Sequence, residues 1–223
     1  YYKVIMAVLR EIYPDIAKKV KHLSHGMLRP SSGKMSSRKG NVVSAEDLIE
    51  EFEKLVIEKI KDRDFSIEEK ESICKDVAIA GLKYTILRQS IGGDIIYDPT
   101  KAISFEGDSG PYLQYATVRA QAVINKSNKN ASIDKLPNNA SLLEKMILRF
   151  PEIIERSRKE YAPHHIITYL TELSSAFNSY YAQNQIIDEK DPESPYRVAI
   201  TKVFVEIMKN GLWLLGIRVP KRM

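Results

Sequence analysis

Phe105-Glu106-Gly107-Asp108-Ser109-Gly110-Pro111-Tyr112-Leu113-Gln114-Tyr115-Ala116 is where the character of this chain changes. Pro99, Gly107 and Gly110 break regular structure, so residues 94–110 read as irregular. Pro111 suits the first position of a helix, where its missing N–H would have no intrahelical partner in any case. The helix it opens is expected to run past Tyr115 and Arg119 to Asn125. A boundary is therefore expected near 107–111.

Downstream of that boundary the pattern is helical. Residues 126–139, rich in Asn, Ser and Lys with Pro137, read as a solvated loop. Helices are expected over 140–150, 152–160, 163–182 and 194–215. Pro151 and Pro163 open two of them. Ser194 is expected to cap the last, with Pro195 in its first turn and Gly216 as its stop. Leu170, Leu173 and Phe177 fall on a core face.

Upstream the pattern is mixed. Residues 1–13 place apolar side chains at 1, 5, 8, 9 and 12, one helical face, and Pro14 punctuates it. Residues 20–28 are expected to form a short strand, the second half of a helix-then-strand crossover. Ser44 with Asp47 and Ser66 with Glu69 have the three-residue spacing of a capping box. The first precedes a face of Leu48, Phe52, Leu55, Val56 and Ile60. The second precedes Ile73, Val77, Ala80, Tyr84 and Leu87, in a helix that Gly92-Gly93 is expected to end. The expected fold class is mostly α, with the end of a Rossmann-like α/β domain in 1–62, a helical connection in 63–110 and an all-helical bundle in 111–223.

Between the expected strand and the first capped helix lies Gly33-Lys34-Met35-Ser36-Ser37-Arg38-Lys39-Gly40-Asn41. Its glycines open backbone conformations closed to other residues, so a mobile loop is expected. Cationic tips and hydroxyls are the groups that stabilise a polyphosphate leaving group. Open α/β sheets place their ligands at the C-terminal ends of strands, where this loop would sit. On charge alone, a solvated basic loop is the better reading.

Composition sets outer limits. The 223 residues are 43% hydrophobic and 28% charged, ordinary for a globular chain with a sizeable core. No run approaches the ~18 apolar residues of a membrane-spanning helix. Cys74 is the single cysteine, so an intrachain disulfide is impossible and a reducing, cytoplasmic setting fits. Buried packing is the expected role for Cys74. The net charge of +5 is compatible with a polyanionic partner without requiring one. The 12 tyrosines suit stacking on unpaired bases, although most are expected to pack between helices. His22 with His25, and His164-His165, lack a companion cluster, so no metal site is expected.

Residue order adds what charge cannot. Lys34-Met35-Ser36-Ser37-Arg38 resembles the KMSKS signature of class I aminoacyl-tRNA synthetases. Gly26-Met27-Leu28 precedes it and Gly40-Asn41-Val42-Val43 follows. With the 105–116 stretch, Arg119, and the closing Gly211-Leu212-Trp213-Leu214-Leu215-Gly216-Ile217 and Val219-Pro220-Lys221-Arg222-Met223, the chain resembles the C-terminal part of arginyl-tRNA synthetases. The other class I signature, His-x-Gly-His, does not occur, and Ser24-His25-Gly26-Met27 is no substitute. Since Tyr1 falls inside an expected helix, the chain reads as a fragment.

The resemblance implies ATP with Mg2+, arginine and tRNA(Arg) as the intact enzyme's ligands, with a monomer and no membrane partner expected. Lys34 matches the signature's first lysine and would reach the pyrophosphate oxygens, with Ser36 adding a donor and Met35 packing beneath. Ser37 stands where the second lysine is expected, leaving Arg38 or Lys39 to supply that charge. Gly26 and Met27 match the strand end that flanks adenine, a simple core turn being equally open. Tyr112, Gln114, Tyr115 and Arg119 begin one bundle helix, and part of that set is expected in the core. Residues 163–181 resemble the family's anticodon-domain helix pair, with Tyr181 placed to meet a base. Lys221, Arg222 and Met223 would lie by the anticodon loop. A free-standing, non-catalytic tRNA-binding module derived from such an enzyme is the alternative. Another nucleotidyltransferase sharing the loop would leave 105–223 unexplained.

Overall fold

The structure, a computed structural model, describes residues 1–31, 44–127 and 131–223. Helices α1 (Tyr2–Ile12) and α2 (Pro14–Ala17) lead to a three-residue strand β1 (Leu28–Pro30). Helices α3 (Ala45–Ile60) and α4 (Ile67–Leu87) follow, then β2 (Ile95–Tyr97) and the short α5 (Pro99–Ala102). The remainder is α6 (Gly110–Asn125), α7 (Leu142–Ile147), α8 (Phe150–Glu160), α9 (His164–Gln183) and α10 (Ser194–Leu214). The mostly helical fold expected from the sequence is the one observed.

Both capping boxes form. Ser44 accepts from the Asp47 amide and Asp47 from the Ser44 amide, and Ser66 and Glu69 exchange the same pair of bonds. Ser141 and Glu144 make a third box at α7 by the same spacing. Each supplies partners to amides that the first helical turn leaves without any.

The strand is shorter and later than expected. Residues 21–27 have no regular structure, and β1 starts at Leu28. A strand exists through its ladder, and β1 has one parallel partner among the described residues. Leu28, Arg29 and Pro30 face Ile95, Ile96 and Tyr97 of β2, whose three residues set the length. Residues 94–110 are accordingly less irregular than expected. Asp98 caps α5 by accepting from the amides of Thr100 and Lys101, so Pro99 opens a helix where it was read as a breaker. Gly92-Gly93 does not end α4, which stops at Leu87. Gly92 takes φ +88° in the turn that returns the chain to β2.

Two cores share α4. Ile73, Cys74, Val77 and Ala78 join Leu48, Phe52, Val56 and Ile60 of α3 with Tyr97 and Ile103. Ala80 and Tyr84, further along the same helix, join the bundle core of α6, α7, α9 and α10. There Leu170, Leu173 and Phe177 are buried as expected, and Phe177 stacks on Phe204 at 4.1 Å. The joint is tight. A Cβ on Gly110 would lie 2.1 Å from the Ala80 carbonyl oxygen, so α6 starts against the backbone of α4. Ser194 is not the cap of α10. It is buried as the helix's first residue, donating to the Ile186 carbonyl and accepting from the Asp188 amide, so its hydroxyl ties the preceding turn.

Candidate nucleic-acid interface

At the bundle end, α6 and α9 bring one predicted pair together. The Arg119 guanidinium lies over the Tyr181 ring, 4.6 Å from its centroid. The Phe177 ring lies near that of Tyr181, with centroids 6.1 Å apart and planes tilted by 32°. The pair stands at a cleft of about 570 Å³, which Val123, Lys126, Gln183 and Gln185 also line. An exposed cation over a half-exposed aromatic ring offers a charge for a phosphate and a face for a base. Lys126 was missing from the expected set. Its signal was available, since positions seven apart on a helix share a face and 119 and 126 are so spaced.

Other predicted contacts sit differently. Tyr115, 39% exposed, opens onto a hollow that Phe105 and Met223 also line. Tyr112 is half-buried against the core, and its hydroxyl accepts from Asn178 at 2.9 Å. Gln114 is a correction as a candidate tRNA contact and belongs to the part of its set expected in the core: it is fully buried and donates to the carbonyl oxygens of Asp76 and Arg218. On α6 its position points between α4 and the chain's end, so the amide is used internally. In the tail Lys221 is exposed. The Arg222 guanidinium lies 5.1 Å over the Phe65 ring and 3.5 Å from the Glu69 carboxylate. Met223 packs on the α3–α4 core, so the tail is laid down rather than frayed.

At the other end Lys34, Met35, Ser36, Ser37, Arg38 and Lys39 lie outside the described residues. Their anchors are described. Ser31 donates its amide to the Tyr97 carbonyl at 3.0 Å, and Ser44 opens α3 on the far side. Asp94 holds the approach, accepting from the Met27 amide at 2.9 Å and pairing with Arg29 at 3.0 Å. A Cβ on Gly26 would lie 2.1 Å from the Gly93 carbonyl oxygen, so backbone packing accounts for that glycine without a ligand. Met27 is 62% exposed.

Among the described residues no group of His, Cys, Asp or Glu is arranged to hold a metal, and no helix is long and apolar enough to cross a membrane. His165 instead sits 2.6 Å from Glu160. Cys74 is buried and donates its thiol to the Glu53 carbonyl. Burial, with the Glu53 charge beside it, pushes that thiol up to about 11. At pH 8 roughly a thousandth of it is thiolate, the form that reacts. Native-state labelling by iodoacetamide is therefore expected to be very slow and to become complete in urea. Fast labelling of the folded chain at pH 8 would contradict this environment.

A family model described as DALR anticodon binding domain matches residues 113–223, and one described as tRNA synthetases class I (R), catalytic domain, matches residues 1–98. The arginine–tRNA ligase of Flavobacterium psychrophilum is 33% identical over 231 residues, covering 100% of this chain and 38% of that protein. The arginine–tRNA ligase of Halothermothrix orenii is 35% identical over 209 residues, covering 91% of this chain and 37% of that protein. Thermus thermophilus arginyl-tRNA synthetase superposes with a TM-score of 0.83 at 27% identity, over 98% of this chain and 38% of that structure. The chain thus spans well under half the length of the relatives it matches. On its fold and on these matches along its length, the chain belongs to the arginyl-tRNA synthetase family.

Proposed function

We propose that this chain serves an ATP-dependent ligase that joins arginine to tRNA(Arg). It would contribute the KMSKS-like loop within 1–62, a helical connection in 63–110 and the anticodon-binding bundle in 111–223. The observation that carries the reading is the Arg119–Tyr181 stack at the mouth of a cleft on the bundle. It pairs a phosphate-seeking charge with a stacking face, the combination that unpaired loop bases require.

At the other end the chemistry is positioning. Arginine's carboxylate would attack the α-phosphorus of ATP and expel pyrophosphate, with no covalent enzyme intermediate. Lys34 and Ser36 would meet the leaving oxygens, Arg38 or Lys39 would supply the second charge, and Met35 and Ser37 would support the loop. Met27 would flank adenine. Mg2+ would come with the nucleotide and needs no dedicated protein cage. A cytoplasmic, monomeric enzyme completes the proposal.

The test compares two preparations. The full-length enzyme should charge tRNA(Arg) with arginine. The 223-residue chain should bind the anticodon stem-loop yet support no ATP–pyrophosphate exchange. Exchange by the chain alone, or charging of another amino acid by the full-length enzyme, would sink the reading.

A further inference from the structure

Of Tyr112, Gln114, Tyr115 and Arg119, Gln114 is the one that the fold turns fully inward. Its Nε2 donates to the Asp76 carbonyl of α4 at 3.1 Å and to the Arg218 carbonyl beyond α10 at 2.6 Å. Both partners are carbonyl oxygens, so only the NH2 end of the amide can face them, and its orientation is set by the network. The cost shows at the other end: Oε1 is buried with no hydrogen-bond partner. An apolar side chain of the same size would fill this space without stranding an acceptor. The amide is thus placed where something must be held.

What it holds is the start of the tail. Gly216 turns the chain off α10 at φ +66°, and Lys83 of α4 donates to its carbonyl. Residues 217–222 then line a cleft of about 910 Å³ between α4 and α10, with Trp213 at its edge. The tail ends with Arg222 against Phe65 and Glu69 and with Met223 in the hollow shared with Tyr115. Tyr115 neighbours Gln114 on α6, and Arg119 lies one turn further on. One buried amide therefore joins the helix that carries the candidate RNA face, the helix shared by both cores and the strap across them.

We propose that Gln114 is a positioning residue for RNA binding: it clamps the Arg218 carbonyl, and so keeps Met223 beside the Tyr115 end of the Arg119–Tyr181 face. The proposal rests on the anticodon-binding reading above. Gln114 touches no RNA itself. Its effect passes through the tail and vanishes when the tail is gone.

Gln114→Met keeps size and removes the clamp. In the 223-residue chain, release of Met223 by carboxypeptidase should accelerate at least ten-fold. Affinity for an anticodon stem-loop RNA should fall about ten-fold, while the thermal unfolding transition stays cooperative. Lys83→Met, which cuts the tail's tie at Gly216 from outside the core, should act in the same direction and stands in if Gln114→Met fails to fold. Deleting 219–223 should weaken binding to a similar degree and leave Gln114→Met no further effect, since both act on one element. Equal weakening by Gln114→Met in the tail-deleted chain, or tail release with unchanged affinity, would overturn the positioning role alone. Wild-type binding that is indifferent to loop sequence would overturn the anticodon reading and this proposal with it.

Discussion

In the full-length enzyme, Lys34→Ala is expected to slow arginyl-adenylate formation by roughly 10²–10³, about what removing one oxyanion donor costs elsewhere. Binding of tRNA should hardly change. The expectation follows from the reaction: charge accumulates on pyrophosphate as the α-phosphorus bond breaks, and a lysine on that leaving group acts mainly in the transition state. The anchors of the segment fit such a role. It leaves the C-terminal end of β1, where Ser31 is bonded to Tyr97, and re-enters at the capped start of α3. Such strand ends are where open α/β sheets present groups to ligands. Single-turnover measurement separates activation from tRNA transfer, and an unchanged rate would reduce Lys34 to a surface charge. Arg38→Ala and Lys39→Ala, measured beside it, identify the residue that replaces the signature's second lysine. That one should lose activation rate, and the other should behave as wild type.

Local rules were legible where a few residues decide the outcome. Ser44 with Asp47 and Ser66 with Glu69 announce helix starts because the capping bonds lie within one turn. Pro111 announces α6 for the same reason, although Ser109 supplies the cap hydroxyl. The expected strand failed because a strand depends on partners distant in the chain. Residues 20–28 were expected to form a strand, but only Leu28–Pro30 finds β2 to pair with. Pro99 was read as a breaker although Asp98 before it is a local cap signal, an Asp with Pro at the first helical position, so that miss needed no distant partner. Ser194 has the right type for a cap, yet its hydroxyl is drawn to Ile186 by the preceding turn.

The candidate site divides in the same way. Arg119 and Tyr181 are 62 positions apart, and periodicity on neither helix makes them meet; resemblance to a family nominated both. Gln114 was nominated on the same grounds, and a turn of the helix carries it inside. Arg222 was expected beside the anticodon loop, and an aromatic ring and a carboxylate already hold its guanidinium. Charge in a sequence shows how many cations exist, and only the fold shows which of them remain available to a phosphate.

Tyr181→Ala is expected to weaken anticodon stem-loop binding by about 1–3 kcal/mol, the worth of one stacked base, or roughly 5–150-fold in Kd. Two losses combine in that number. The base loses its platform, and Arg119 loses the ring that orients its guanidinium 4.6 Å away. Tyr181→Phe keeps the ring and the cation–π contact and should cost far less. Arg119→Ala should also weaken binding, but through charge, lowering the salt slope by about 0.7 for the one single-strand phosphate it neutralises. Tyr181→Ala should leave that slope nearly unchanged, because it removes no charge. Neither variant should unfold the chain, since Arg119 is exposed and Phe177 keeps its stack on Phe204 without Tyr181. The decisive titration sets the tRNA(Arg) anticodon stem-loop against one with altered loop bases at constant salt. A stacking pocket that reads the loop should prefer the first and lose the preference in Tyr181→Ala. If both RNAs bind alike, and neither substitution matters, the cationic face is holding phosphates without regard to sequence and the anticodon assignment is wrong.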